Sequence, residues 1–124
     1  MLALEIVTPD GVALTETGVE VVVLRRRERR FEIGSEIAIF PRHGPMLVRI
    51  PVAPAKYERG GETVHLALSG GFAEVRMDRV VVVTPRCSRV PAEAADPVDT
   101  ALKLCEAWRA EAADSEAAIV GVPG

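Results

Sequence analysis

The sequence predicts a mainly β protein, an antiparallel sandwich or flattened barrel, closed by one C-terminal α-helix. Three observations carry this. Short apolar runs punctuated by Gly and Pro fill residues 2–86. No helical period interrupts them. A single helical period with capping signals then begins at Asp96.

Taken in order, Leu2, Leu4 and Ile6 alternate, and Pro9-Asp10-Gly11 makes a turn. Val19, Val21 and Val23 are expected on one face of the next strand, with Val22 and Leu24 on the other. A strand apolar on both faces belongs inside a sandwich or against a partner. Ile33, Ile37 and Ile39 continue the pattern, and Met46, Val48 and Ile50 follow a turn. Pro51 and Pro54 confine the next segment to a sheet edge or a loop, because proline cannot donate to a ladder. Gly60-Gly61 marks a hairpin between Ala55–Glu58 and Thr63–Leu68, and Val80–Val83 is the last β-branched run.

Residues 87–95, rich in Pro, Ala and Ser, read as a linker. Asp96 can cap the helix, Pro97 suits its first position, and Asp99 lies near the positive end of its dipole. Val98, Ala101, Leu102, Cys105, Trp108 and Ala112 form one apolar stripe, which should dock on this sandwich or on a partner because a lone helix is marginal in water. Beyond Ser115 the sequence reads as a fraying tail. The expected units are therefore a β-domain over 1–86, a linker over 87–95, and a helix with its tail over 96–124.

The chain is 48% apolar but only 4% aromatic, so its core must come from Val, Ile, Leu and Ala. Its formal charge is −3, which gives no general reason to expect nucleic acid or anionic lipid. Residues 1–87 hold 12 Lys/Arg against 11 Asp/Glu, whereas residues 88–124 hold 3 against 7. No apolar run approaches the roughly 20 residues a spanning helix needs, and no secretory signal is evident. Cys87 and Cys105 lack metal spacing, so a reducing, cytoplasmic setting is expected.

Catalytic patterns are scarce. Ser69 precedes two glycines, but a nucleophile elbow needs Gly where Ala67 stands. Gly60-Gly61 and Gly70-Gly71 both read as lying between strands, so neither opens a helix as a phosphate cradle would. Two His and two separated Cys leave a metal site little to draw on. Arg86 and Arg89 flank Cys87 and could lower its pKa, whereas Cys105 reads as a small apolar contact. The run Arg25–Arg30, broken only by Glu28, reads as a contact for nucleic acid, anionic lipid or an acidic partner, or as a solvated hairpin tip that deters edge pairing. The second reading is favoured, because few aromatics are present to stack bases.

Pro41-Arg42-His43-Gly44-Pro45 stands apart. Two prolines push a cation and an imidazole out between apolar strands. The pair could serve a partner, or Arg42 could simply be solvated while His43 braces the loop. Downstream, Ser69-Gly70-Gly71 gives the backbone freedom before pairing resumes.

Together, Glu36 to Leu47, Leu68 to Val75 and the Val80–Val83 run resemble the β-domain of the epsilon subunit of F-type ATP synthases. The family pattern is an acidic residue and aliphatics before Pro-x-His-x-Pro-Leu/Met-Leu, then Ser-Gly-Gly-x-x-Glu-Val. The opening Leu4 to Pro9 fits as well, so the resemblance covers residues 2–84. It implies a ten-stranded sandwich in the central stalk, peripheral to the cytoplasmic face of a bacterial inner membrane. The partners it implies are the gamma subunit, the c-ring and, transiently, the alpha/beta head. The subunit would be a non-catalytic rotor part that couples ion-driven rotation to ATP synthesis and can restrain ATP hydrolysis.

Glu36, Arg42 and His43 correspond to the c-ring contact, and Thr8 and Val48 to surface facing gamma. A free-standing β-sandwich that binds a small acidic ligand is the alternative. Three departures from the family pattern are present. Extra sequence carrying the arginines predicts an enlarged hairpin over residues 24–32. Arg42 replaces a common Gly, so this turn should not depend on a free φ there. The chain also has material for one good helix where relatives have two. The family's nucleotide-binding pattern falls on Val98 to Lys103 with Leu102 at the Arg position, so no cofactor is expected and ATP binding should be weak or absent.

Overall fold

The structure is a computed structural model that describes residues 1–28 and 34–120, with side chains as far as residue 113. Residues 29–33, which include Arg29, Arg30, Ile33 and the second part of the expected 24–32 hairpin, and residues 121–124 lie outside the described residues. The strands are β1 (Leu2–Thr8), β2 (Gly11–Val19), β3 (Val21–Arg25), β4 (Glu36–Ile39), β5 (Met46–Arg59), β6 (Glu62–Arg76), β7 (Arg79–Val83) and β8 (Cys87–Arg89), followed by helix α1 (Pro97–Val120). Their continuous order is β2-β1-β7-β6-β5-β3-β4, with β8 also on β6. All pairs are antiparallel except β1 with β7.

β5 and β6 are long because each passes through both layers. Their ladder runs in one register from Met46↔Val75 to Arg59↔Glu62 and skips only Pro51 opposite Gly70. Before the skip, β5 and β6 complete a layer with β7, β1 and β2; beyond it β5 pairs with β3, which carries β4 on its other edge, and β6 pairs with β8. Divided there, the eight strands make the ten segments of a two-layer sandwich. The two prolines thus interrupt neither strand. Pro54 pairs with Ala67 where β3 has not yet joined β5, which agrees with the expected edge position.

Gly70 and Gly71 correct the sequence reading. They lie inside β6 rather than between strands, with φ of 94° and 107°. A Cβ at Gly71 would overlap the Val83 carbonyl oxygen, so only glycine allows β6 to turn this closely past β7. Gly60 and Gly61 do form the expected two-residue hairpin, at φ of 60° and 78°. Val19 is another correction. It ends β2 opposite Leu2, because the chain changes layer at Glu20, whose amide donates to the Glu58 carbonyl.

The core is aliphatic. Leu2, Leu4, Ile6, Val48, Ile50, Val80 and Val82 from one layer meet Val22, Leu24, Ile39, Leu66 and Leu68 from the other, around the buried Tyr57 ring. Thr84, the one polar residue buried among those described, accepts from the Ser69 amide and donates to the Arg86 carbonyl.

Helix α1 docks on its own sandwich. Ala101 and Cys105 pack over Ala67 and Val90, with Leu104 and Trp108 at the margin. Val98 and Ala112 of the expected stripe remain exposed. The Asp99 amide donates to Asp96 Oδ1 at 3.0 Å, which is the predicted cap. Arg86 fixes the far half: it pairs with Glu111 at 2.5 Å and lies 5.5 Å above the Trp108 ring. Two boundaries differ from expectation. β8 occupies the start of the presumed linker, and the helix continues past Ser115 to Val120 through good helix formers such as Ala117 and Ala118.

Candidate functional site

The tip is built from three chain segments. Ile39 anchors the end of β4 in the core while Phe40 turns outward, 58% exposed. Pro41 and Arg42 then occupy the centre of a turn closed by the His43 amide donating to the Phe40 carbonyl at 3.2 Å. Pro41 presets the first central φ, and Arg42 takes φ of 66° at the second, as a type II turn requires. The expectation for position 42 is therefore overturned. The turn keeps its left-handed residue although a side chain is present, a conformation that costs an L-residue roughly 1–2 kcal/mol.

A neighbouring hairpin offsets part of that cost. The Arg42 amide donates to Asp78 Oδ1 at 2.5 Å, a charge-assisted bond. Asp78 and Met77 form the two-residue turn from β6 to β7, with φ of 59° and 48°. The Asp78 carbonyl accepts from the Ala3 amide at 2.9 Å, which brings the start of β1 to the same end. His43 braces the loop by donating from Nδ1 to the Gly44 carbonyl at 2.7 Å. The Arg42 side chain, Phe40 and the 90%-exposed Met77 are left facing outward.

The five residues expected to meet partners do not form one patch. Arg42 and His43 are adjacent. Glu36 begins β4 and pairs with Arg25 at 3.5 Å. About 3.3 Å of rise per strand residue sets it on the order of 13 Å behind Phe40. Thr8 ends β1 and holds the Pro9–Gly11 turn through its hydroxyl, with bonds to the Asp10 amide and the Gly11 carbonyl. Val48 is only 7% exposed and belongs to the core, so its side chain offers no surface; its neighbours Leu47 and Arg49 do. Sequence reasoning missed Phe40, Met77 and Asp78. The available signal was Met77-Asp78 breaking the alternation between Val75 and Val80.

Among the described residues no catalytic constellation forms around Ser69, whose hydroxyl accepts from the Arg86 amide at 2.6 Å. The flanking arginines do not activate Cys87. Burial pushes its thiol pKa up, and it pushes that of Cys105 up too. On the helix, Lys103 pairs with Asp99 at 3.1 Å, beside Leu102.

Comparison with known proteins agrees with this geometry. Residues 1–90 match the family model described as ATP synthase, Delta/Epsilon chain, beta-sandwich domain. The ATP synthase epsilon chain of Dehalococcoides mccartyi is 36% identical over 98% of this chain and 78% of its own length. That of Anoxybacillus flavithermus is 32% identical over 89% of this chain and 73% of its own length. Among solved structures, a chain in the Euglena gracilis mitochondrial ATP synthase superposes with a TM-score of 0.64 at 20% identity, over 86% of this chain and 64% of that one. At that identity the likeness speaks for the fold. The family match and the relatives speak for descent, and the chain belongs to the ATP synthase delta/epsilon family.

Proposed function

We propose that the chain is a non-catalytic rotor subunit of an F-type ATP synthase, peripheral to the cytoplasmic face of a bacterial inner membrane. It couples ion-driven rotation of the c-ring, through gamma, to ATP synthesis. The observation that carries this reading is family membership over residues 1–90, which span the whole sandwich and its tip. The tip supports it: Arg42, Phe40 and Met77 are held outward on a rigid frame that leaves them free for a partner such as the polar loops of a c-ring. Among the described residues no helix is long and apolar enough to cross a membrane.

The gamma-facing surface belongs on the outer face of the first layer rather than at Val48. There Phe72 is in register with Val83, then Val7, then Val12, and Leu47 is exposed one row away. Exposed apolar rows of this kind mark protein interfaces. The docked helix argues for little restraint of ATP hydrolysis, since Arg86 and the Ala101–Cys105 contact hold it on its own sandwich. With Leu102 apolar and the Lys103 ammonium paired, calorimetric titration should find ATP affinity weaker than micromolar.

Affinity purification of the tagged chain from its own cells tests the assignment. Recovery of gamma and the c-ring subunit is expected, with Arg42→Glu lowering recovery of the ring. Elution as a lone monomer would overturn it in favour of a free-standing binding module.

A further inference from the structure

At the end of the sandwich away from the tip, exposed arginines gather beside the strand crossing. The Arg27 amide donates to the Arg49 carbonyl at 2.9 Å, so the chain leaving β3 lies along the free edge of β5. Across the crossing at Pro51 and Gly70, Arg109 donates from Nη2 to the Val52 carbonyl. Between Arg27 and Arg109 is an open hollow of about 430 Å³, floored by Pro51, Ser69 and Gly70 and walled by Ala112. Nearby cations are already neutralised, Arg25 by Glu36 and Arg86 by Glu111. Among the described residues, Arg26, Arg27 and Arg49 have no ion-pair partner, and all three are exposed.

We infer that this hollow, lined by Arg27 and Arg109 and flanked by the exposed Arg26 and Arg49 next to Arg27, binds an acidic polypeptide segment. The floor supplies no acidic side chain to oppose carboxylates, and the Ser69 hydroxyl is already occupied by the Arg86 amide. The small Ala112 and the bare Gly70 allow a backbone to approach, while flexible exposed arginines can meet carboxylates spaced along it. Nucleic acid fits less well. Among the described residues no aromatic side chain lines the hollow for base stacking. An anionic bilayer fits least. Met46 to Pro51 separates the tip from the crossing by about 17 Å at roughly 3.3 Å per residue, so a tip resting on a membrane ring directs these arginines away from the lipid. Only this last step rests on the rotor assignment.

Fluorescence anisotropy of labelled poly-L-glutamate with the full chain tests the inference. Binding should weaken about tenfold in Arg27→Glu/Arg49→Glu, as expected when two exposed ion pairs become repulsive. It should also weaken with rising salt and survive Arg42→Glu at the tip. Arg27→Gln/Arg49→Gln, with an intermediate loss, serves if the reversal unfolds the protein in a circular-dichroism melt. Equal binding by wild type and both arginine variants would overturn the inference. So would tighter retention by inorganic polyphosphate or by phosphatidylglycerol vesicles. Failure to recover gamma and the c-ring in the purification would leave this result standing, so the two readings fail separately.

Discussion

The two proline-and-glycine motifs of this chain do opposite work. At the strand crossing, Pro51, Gly70 and Gly71 lie where the backbone passes between layers, and the close approach of β7 requires glycine at Gly71. At the tip, Pro41, Arg42 and His43 form a turn whose side chains the core does not use. The lesson is that a positive φ is ambiguous by itself. Gly71 has one because a Cβ would strike the Val83 carbonyl, whereas Arg42 has one although a strain-free residue was available. Retained strain with an outward side chain points to function.

Substitution at the crossing should have the largest effect. In Gly71→Ala the new methyl meets backbone rather than a yielding side chain, so overpacking adds to conformational strain. A loss of about 3 kcal/mol or more is expected from those two costs, read as a lower urea midpoint. Gly70→Ala is the sharper control. Its Cβ would lie an ordinary 3.5 Å from the Ile50 carbonyl oxygen, leaving φ strain of roughly 1–2 kcal/mol. Equal losses for the two would break the claim that close approach sets the requirement at Gly71.

The helix braces one side of the crossing, with Arg109 bonded to Val52 and Arg86 stacked on Trp108. Trp108→Ala removes a half-buried ring and a cation–π contact, so a loss of about 2 kcal/mol is expected in thermal unfolding. A melt unchanged by this substitution would mean that the helix does not contribute to bracing the crossing.

Local rules made much of this legible. Alternation and turn residues located most strands, and the Asp96–Pro97 cap located the helix start. Contacts distant in sequence were not legible. A strand that changes layer at Gly70-Gly71 looks locally like a turn, because the Val83 carbonyl that demands glycine is contributed by another strand. β8 has only three residues in a Pro- and Ser-rich stretch, and it exists because β6 offers an edge. At the tip, Arg42 and His43 were visible, but the Asp78 carboxylate that steadies them lies 36 residues away. Val48 was misplaced for another reason. Its alternation with Met46 and Ile50 already indicated an inward face, and a positional correspondence with relatives outweighed that signal.

Arg42→Gly separates the roles at the tip. Removing left-handed strain stabilises, while the added freedom of the unfolded chain offsets part of the gain, so a net change within about 1 kcal/mol is expected. Recovery of the c-ring in the purification should fall nonetheless, because the cation is lost. A clear loss of stability with unchanged recovery would reverse the comparison and make the tip a structural turn.

The smallest effect concerns what holds the sandwich just behind the tip. Tyr57 is in register with Val22, which pairs with Ile39, and its hydroxyl donates to Glu16 Oε1 in the opposite layer at 3.3 Å. Burial, then the negative charge of Glu16, raises the Tyr57 pKa above its ordinary 10.0. A pKa raised by folding means that the native state holds the proton more tightly. The associated stability is therefore fully present below pH 10 and declines as pH rises through the folded value. The half-buried Cys87 and buried Cys105 thiols add a decline of the same sign starting nearer their ordinary 9.0. Denaturant midpoints measured from neutral pH to pH 11 should fall, and Tyr57→Phe should make the upper part of that fall shallower while Arg42→Gly leaves it unchanged. If Arg42→Gly altered the alkaline slope as much as Tyr57→Phe, the tip would be coupled to the cross-layer bond, and the division between a fold-bearing interior and a partner-facing turn would not hold.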